Sequence, residues 1–508
     1  MLRPDEVPTR ASSLPPTEAA GNSTVRSGDR AQVLPLAALG ALLVTALVTA
    51  AVLALLDVPA AWGLLGVCAA VTVPVALWGL ASGRFFEPLP LLAAAGALLF
   101  VARPLQLFVG WRDLYSYVFL TDPVGSLVRL DGQEMANFVS SRLQEPIDSA
   151  FARASGACAL FFLALLVGYQ LGLGRKLGER LSRLTGPRRP FNAPAAIGLS
   201  LVLGLGASTA IIVRGKGPAS AFENASQQAT LSDSFALFVV AGFATAAVVI
   251  WAAWMRPRGR LQWGAFLISV AAVCAFAVAA GSRSRVFVAL LALAVVIHYL
   301  WRPWRRREIV VVAILLLALA SAFVVLREVA ESRSLGEAFE TAPRHILDGR
   351  VIANDLTSYD LVVYATTIYG RERDHEHGRF LLDGVRSFVP SAIDSGKPEG
   401  GDITFRKVVW GGTYAAGRPP TAVGDLWIDF GFPGVALGGF LIGLLARGLL
   451  GFTAGAGPGR EYRVALYAIG LVVLFTLVVD TFSLALGYVF TLALPFGVAV
   501  YGFGRLRT

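Results

Sequence analysis

Long apolar blocks recur along this chain, and short polar segments separate each block from the next. Each block runs for roughly 16 to 24 residues, close to the ~20 residues that a helix needs to cross about 30 Å of hydrocarbon. The blocks therefore predict an all-α polytopic membrane protein with about twelve transmembrane helices. We place the spans at residues 33–56, 60–81, 88–110, 151–173, 194–213, 234–255, 262–280, 285–300, 309–326, 432–449, 464–480 and 485–503.

The composition agrees with a membrane protein. Of the 508 residues, 56% are hydrophobic and only 15% are charged, whereas charge falls on about a quarter of the residues in soluble proteins. An ordinary soluble enzyme is therefore excluded. Cys68, Cys158 and Cys274 all lie in apolar blocks, and the zinc-protease and nucleotide-binding motifs are missing. The sequence therefore predicts neither a metal nor a cofactor.

Basic residues are divided unevenly between the polar segments. With a cytoplasmic N-terminus, the inner segments hold 23 Lys and Arg residues and the short outer loops hold 7. This division satisfies the positive-inside rule and predicts that both termini lie in the cytoplasm. The basic residues are 40 Arg and 4 Lys, a bias that suggests a GC-rich coding genome and therefore a bacterium. Because insertion orientation explains the net charge of +10, the charge predicts contact with membrane lipid and no nucleic-acid partner.

Four regions follow from this topology. Residues 1–32 are rich in Ser, Thr, Pro, Arg and Glu, a composition that predicts a disordered cytoplasmic tail. Residues 33–326 hold the first nine spans. Residues 327–431 form a large extracytoplasmic loop, which we expect to be a folded cap because structureless loops of this length are uncommon. Residues 351–369 of the loop have near-helical apolar spacing and are expected to lie on the bilayer surface. Residues 432–508 hold the last three spans.

Two arginines occupy a tight outer turn, where the positive-inside rule gives arginine no advantage. The turn is Gly281-Ser282-Arg283-Ser284-Arg285, between the seventh and eighth spans. A guanidinium pair in such a place holds phosphate or pyrophosphate through forked hydrogen bonds. We predict this role for Arg283 and Arg285, with contact to lipid headgroups as the alternative.

Arg103 lies inside the third span, toward its outer half. Charges at such a depth are costly and face a partner or a wet cavity, so Arg103 is a candidate substrate-binding residue. Asp480, near the outer end of the eleventh span, is its candidate partner. Arg214 and Arg327 leave their spans at the same surface, where each either binds substrate or anchors to lipid headgroups.

The large loop supplies candidate acid/base and sugar-binding side chains. His375 and His377 stand among carboxylates, an arrangement that suits a metal, an acid/base role or plain solvation. We select His377 as an acid/base residue and assign no metal. Trp410, Tyr414 and Arg418 are candidate substrate contacts from the same loop.

The closing third of the chain carries a resemblance to a known family. The residues concerned are His377–Gly384, Phe388–Pro390, Gly396–Pro398 and Arg418–Gly434, the last reading R-P-P-T-A-V-G-D-L-W-I-D-F-G-F-P-G. They resemble the bacterial O-antigen polymerases, or oligosaccharide repeat-unit polymerases, in the stretch that re-enters the membrane after a large outer loop. The outward Gly-Ser-Arg turn and Arg103-Pro104 are similar to that family too.

This resemblance implies that repeat units carried on undecaprenyl pyrophosphate are polymerised on the outer face, without metal or nucleotide sugar. It also implies a flippase and a chain-length regulator as partners. The outward arginines of the family fall on Arg283 and Arg285, and its acidic residue falls on Asp425. We expect Asp425 to be the general base, with His377 as the second choice. Related O-antigen ligases carry a His-Asn pair where this chain has Pro419-Pro420.

Two alternatives stay open. The first is an O-antigen ligase or a polyprenyl-phosphate-dependent glycosyltransferase. The second, from another class, is a transporter or flippase of lipid-linked sugar, since twelve spans divide into two sets of six. Against a transporter, the two halves share no sequence repeat, and the large loop has no counterpart of similar size.

Overall fold

A computed structural model gives the fold of most apolar parts of the chain. It describes residues 60–108, 119–121, 127–129, 147–184, 191–214, 235–257, 259–279, 283–314, 358–389, 393–396, 420–454 and 459–505, together with the isolated residues 48, 398, 404, 405 and 408.

The described chain is helical apart from one small hairpin. Up to residue 279 its helices are α1 (Ala60–Ser82), α2 (Pro88–Ala97), α3 (Arg103–Phe108), α4 (Ile147–Gln170), α5 (Gly172–Leu184), α6 (Ala193–Arg214), α7 (Phe235–Trp254) and α8 (Arg260–Ala279). The rest are α9 (Arg283–Val296), α10 (Ser358–Ile368), α11 (Arg379–Arg386), α12 (Thr421–Gly451), α13 (Arg460–Val479), α14 (Phe482–Tyr488) and α15 (Leu494–Tyr501). In the hairpin, strands β1 (Phe119–Thr121) and β2 (Leu127–Arg129) pair antiparallel.

Single π-helical turns interrupt several of the spans. They are Leu98–Ala102 between α2 and α3, Ile297–Trp301 after α9, and Val489–Ala493 between α14 and α15. A π turn adds a residue to one turn of the helix and so rotates the side chains that follow it.

Ten of the expected spans are confirmed as helices long and apolar enough to cross a membrane. They correspond to the second through eighth and the tenth through twelfth apolar blocks. Of the remaining blocks, residues 33–56 lie almost wholly outside the described residues, and the block at 309–326 is described, as helix, only up to residue 314. The chain is thus a helical multi-pass membrane protein.

The helices form two packed groups, each with its own buried apolar core. One core is built from α1, α2, α4, α10 and α12. The other is built from α6 to α9 and α13 to α15. Helix α13 contacts both groups, since it packs against α9, α2 and α12.

Glycines allow α4 and α12 to pack at very short range. A Cβ atom on Gly439 of α12 would lie 2.5 Å from the carbonyl oxygen of Phe161. One turn along, a Cβ atom on Gly443 would collide with the carbonyl oxygen of Leu165. Membrane helices use such small residues because lipid supplies no hydrophobic force between helices, and close contact must replace it.

Helix α10 corrects the expectation for residues 351–369. We expected a helix on the bilayer surface, but ten of the eleven residues in Ser358–Ile368 are buried. The helix packs between α4 and α12. The Tyr359 hydroxyl donates to the Phe151 carbonyl over 3.2 Å and lies 2.8 Å from the Ser155 hydroxyl. Its helical spacing was foreseen, but its burial depends on partners far away in the sequence.

Contacts between chain segments define two ends of the bundle. The end called here the loop end is marked by three pairs that the sequence places on one side: Arg103 with Asp360, Asp425 with Phe482, and Phe235 with Phe388. The opposite end, the arginine end, is marked by Tyr467 with Phe86, Arg447 with Tyr169, and Arg460 with Tyr299. Described spans that are adjacent in the sequence therefore run in alternating directions, except that α9 and α12 both begin at the loop end.

Candidate functional site

A small cavity lies at the loop end beside Arg285, the third residue of α9. Its volume is about 50 Å³, and it is lined by α6, α7, α8, α9, α14 and the π turn that follows α14. The Arg285 guanidinium carbon lies 4.0 Å from the centroid of the Phe238 ring. Four hydroxyl-bearing residues, Ser208, Thr245, Tyr488 and Thr491, share the lining with apolar residues.

Arg285 has an unusual electrostatic environment for a charge inside a span. It is partly buried, and within the described part of the chain no carboxylate forms an ion pair with it. Charges within spans are normally paired or face a wet cavity. A guanidinium in a partly apolar cavity without an acid is well placed to receive an anionic ligand.

Arg103 has the opposite arrangement. Its side chain is fully buried, and its guanidinium grips Asp360 of α10, with Nε 3.3 Å from Oδ1 and Nη2 2.8 Å from Oδ2. The π turn Leu98–Ala102 immediately precedes Arg103 and sets the direction of its side chain. The partner of Arg103 is therefore Asp360, and our pairing with Asp480 was wrong. Asp480 instead accepts a hydrogen bond from the amide of Thr481 over 3.2 Å.

A break in α12 brings the two sequence stretches of the resemblance together. Gly431 has φ 63 and ψ −148, which only glycine adopts without strain, and Pro433 has no amide hydrogen. The carbonyls of Ile428 and Asp429 therefore lose their helical donors. The amides of Glu376 and His377 replace them, each over 2.9 Å. The stretch that begins at His377 is thus hydrogen-bonded directly to the broken span.

Two aspartates one turn apart on α12 hold the starts of two other helices. The Asp429 carboxylate accepts from the amides of Phe380 and Leu381, each over 2.9 Å, at the first turn of α11. Asp425 accepts from the amide of Phe482 over 2.7 Å, at the first residue of α14. Both contacts satisfy amides that a helix cannot satisfy by itself. Asp425, our expected base, is only 1% exposed and serves as a helix cap.

The two histidines of the HxH pair differ in surroundings. His377 is exposed and has a left-handed φ of 52. The ring of His375 is partly buried and meets the ring of Trp427 edge-on, 6.0 Å between centroids. Among the described residues, no group of three or more His, Cys, Asp or Glu side chains is arranged to hold a metal. His377 is therefore the more accessible member of the pair.

Tyr369 is hydrogen-bonded to α12 close to the break at Gly431. Its carbonyl accepts from the indole nitrogen of Trp427 over 3.1 Å. Burial, with a smaller contribution from the charge of Glu376, raises the pKa of Tyr369 to about 12. The phenol therefore stays protonated at physiological pH.

Helix α11 connects the broken span to the Arg285 cavity. A Cβ atom on Gly384 would collide with the Ser483 hydroxyl, so α11 lies directly on the start of α14. Just after α11, the ring of Phe388 packs against Phe235 at 5.1 Å and Phe490 at 5.7 Å between centroids. Phe235 lies one helical turn before Phe238, whose ring contacts the Arg285 guanidinium. One short helix therefore spans from the capping aspartate to the wall of the cavity.

The remaining predicted residues are only partly placed. Arg283 begins α9 and Arg214 ends α6, both at the loop end, but their side chains lie outside the described part of the structure. The other predicted residues outside the described part are Arg327, Trp410, Tyr414 and Arg418.

Sequence reasoning missed Asp360, Asp429 and Phe238. A signal existed for Asp429, because it follows Asp425 by one helical turn on an otherwise apolar segment. Asp360 and Phe238 gave no comparable signal.

Comparison of the chain with protein-family models, curated proteins and solved structures gives no match.

Proposed function

We propose that the protein is a membrane glycosyltransferase that polymerises oligosaccharide repeat units carried on undecaprenyl pyrophosphate. The observation that carries the proposal is Arg285, a cation in a cavity within the spans that has no carboxylate partner among the described residues. A pyrophosphate on an apolar chain supplies the missing negative charge. The resemblance of residues 377–434 to O-antigen polymerases supports the same substrate class.

The reaction joins two lipid-linked units. The hydroxyl oxygen of the acceptor sugar bonds to the anomeric carbon of the donor chain, while the bond from that carbon to pyrophosphate breaks. Undecaprenyl pyrophosphate leaves with the electron pair, and a base takes the acceptor proton. Arg285, with Arg283 at the start of the same helix, stabilises the charge that develops on the leaving pyrophosphate.

We assign the base to His377. Asp425 is nearly inaccessible and already caps α14, whereas His377 is exposed and carries an imidazole, the side chain that most often acts as a general base. Arg103 becomes a positioning residue, because its guanidinium is occupied by Asp360 and thereby fixes α10. The expected contacts of Arg214, Arg327, Arg418, Trp410 and Tyr414 with substrate stay predictions.

The proposed setting is the bacterial cytoplasmic membrane, crossed by twelve spans, with both termini in the cytoplasm and residues 327–431 outside. The division of basic residues, 23 against 7, supports this orientation. The loop end is then the outer face, and it carries Arg285, α11 and His377. A flippase delivers the lipid-linked units and a chain-length regulator limits the product. The reaction itself uses neither metal nor cofactor.

The test is chain growth by the purified protein. In liposomes that contain lipid-linked repeat units, we expect a ladder of longer saccharides still attached to undecaprenyl pyrophosphate. A ligase would transfer saccharide only when a second acceptor is added. A flippase would move units between leaflets without changing their length, and either result would overturn the proposal.

A further inference from the structure

Helix α8 forms one wall of the Arg285 cavity and is the least buried of the described spanning helices. Only 11% of its 18-residue apolar stretch is buried inside the protein, whereas the corresponding share in the other nine spanning helices is 33–67%. Val273 and Ala277 of α8 line the cavity, while Leu261 and Ile268 on its outer side are 88% and 70% exposed. A helix with so few buried contacts separates from its neighbours at low energetic cost.

The cavity has a charged residue at the loop end and a mainly apolar lining. Arg285 lies near the start of α9, at the loop end, while the lining along α7 runs deeper, from Phe238 to Thr245. The seven residue steps between these two positions correspond to about 10 Å along the helix axis. Val273 and Leu492 line the deeper part with apolar groups. This order matches a phosphate attached to a hydrocarbon chain that points into the bilayer.

The cavity in this structure is too small for such a chain. Its volume of about 50 Å³ is room for a few water molecules. One wall therefore has to move before a chain of several isoprene units fits. Gly242 fixes the opposite side, because it lets α7 contact the carbonyl of Thr491 so closely that a Cβ atom would collide. Among the walls of the cavity, α8 has the least packing to oppose a movement.

We propose that α8 is a lateral gate. When α8 separates from α6 and α9, an isoprenoid chain enters the cavity sideways from the bilayer and its phosphate or pyrophosphate binds Arg285. The substrate class rests on the proposed function. A phospholipid such as phosphatidylglycerol shares the same chemistry, a phosphate on an apolar chain, and the experiment has to separate the two.

The test uses two alanines of α8 that differ in the direction they face. Ala277 lines the cavity, and Ala275, two residues away, is exposed. We expect Ala277→Trp to weaken binding of farnesyl pyrophosphate to the purified full chain in nanodiscs by at least ~10-fold, and Ala275→Trp to change it less than about 2-fold. Ala277→Leu provides a smaller obstruction if the tryptophan variant fails to accumulate.

Competition identifies the source of the phosphate. Farnesyl pyrophosphate should displace its labelled form at much lower concentration than inorganic pyrophosphate or phosphatidylglycerol. Equal competition by inorganic pyrophosphate would show that no chain is held, and equal competition by phosphatidylglycerol would show an ordinary lipid site. Either result overturns the proposal, as does binding that both tryptophan variants retain or that both lose.

The polymerisation assay separates this proposal from the proposed function. If Ala277→Trp polymerises lipid-linked units at the wild-type rate, the gate is wrong and the function stands. If the wild-type protein binds farnesyl pyrophosphate in an Ala277-sensitive way but never extends a saccharide, the gate stands and the function is wrong.

Discussion

Arg103 and Arg285 show two ways of keeping an arginine within apolar helices. Arg103 is fully buried and bound by both carboxylate oxygens of Asp360, so its charge is neutralised within the protein. Arg285 lies over the ring of Phe238, beside a cavity, and lacks an acidic partner among the described residues. The first arrangement balances the charge within the protein, whereas the second leaves the charge for the anion of the proposed function. Substitutions at these residues should therefore have different consequences.

Replacement of Arg285 by lysine should reduce polymer formation while leaving the amount of membrane protein unchanged. Lysine keeps the charge but loses the planar fork that holds phosphate through parallel hydrogen bonds. We expect a loss of at least ~10-fold in rate, equivalent to about 1.4 kcal/mol of transition-state stabilisation. The measurement is chain growth with lipid-linked units, with Arg260→Lys, an exposed arginine at the far end of α8, as the control. Near-normal saccharide chain growth by an Arg283→Lys/Arg285→Lys double variant would contradict a role for these two arginines in binding pyrophosphate.

Replacement of Arg103 by alanine should instead destabilise the fold. It leaves the Asp360 carboxylate in a largely buried position without its guanidinium, a change that costs about 3 kcal/mol or more in buried pairs. Thermal unfolding of the purified protein in detergent measures the effect. The double variant Arg103→Ala/Asp360→Ala should lose less stability than the two single variants added together. Strict additivity would mean that the ion pair contributes no coupling.

Glycines allow α4 and α12 to pack in close contact, and adding a single methyl group at one of these glycines tests how much that contact stabilises the fold. Gly439→Ala should lower the unfolding temperature, because its Cβ atom would press on the Phe161 carbonyl and overpacking costs about 1–3 kcal/mol. Gly206→Ala in α6 is the matched control, since nothing lies within 4 Å of the added atom. The control should be neutral or slightly stabilising, as alanine favours helix. Equal unfolding temperatures for the two variants would contradict the packing role.

The alternating direction of the spans predicts which segments share a side of the membrane. Gly396, beyond α11, and Arg305, beyond the π turn after α9, are both exposed. A cysteine in place of Gly396 should react with an impermeant thiol reagent in intact cells, and one in place of Arg305 should not. The native thiols give little background, because Cys68 and Cys158 are buried and Cys274 is partly buried. The reverse labelling would put the loop end in the cytoplasm and exclude the proposed site.

The sequence predicts the spans well because each depends only on its own apolar length. Ten apolar blocks are helices of the expected kind. The contacts that fix α10 and α11 are not local, since Asp360 follows its partner Arg103 by 257 residues and Asp429 follows Phe380 by 49. Apolar spacing alone therefore could not separate a buried helix from one on the bilayer surface. Arg285 stood out in the sequence because its charge contradicted its location. The capping contact of Asp425 was not foreseen, because a helix cap and a general base can have the same side chain.

The break in α12 also has a consequence for biosynthesis. Phe380 and Leu381 leave the ribosome 49 and 48 residues before the aspartate that caps them. At roughly 5–20 residues per second, that interval lasts several seconds. During this time the first turn of α11 and the amides of Glu376 and His377 lack the partners they have in the finished protein. The segment that carries His377 is thus completed only after α12 is made, so a chain arrested before α12 would hold its earlier spans without an assembled site.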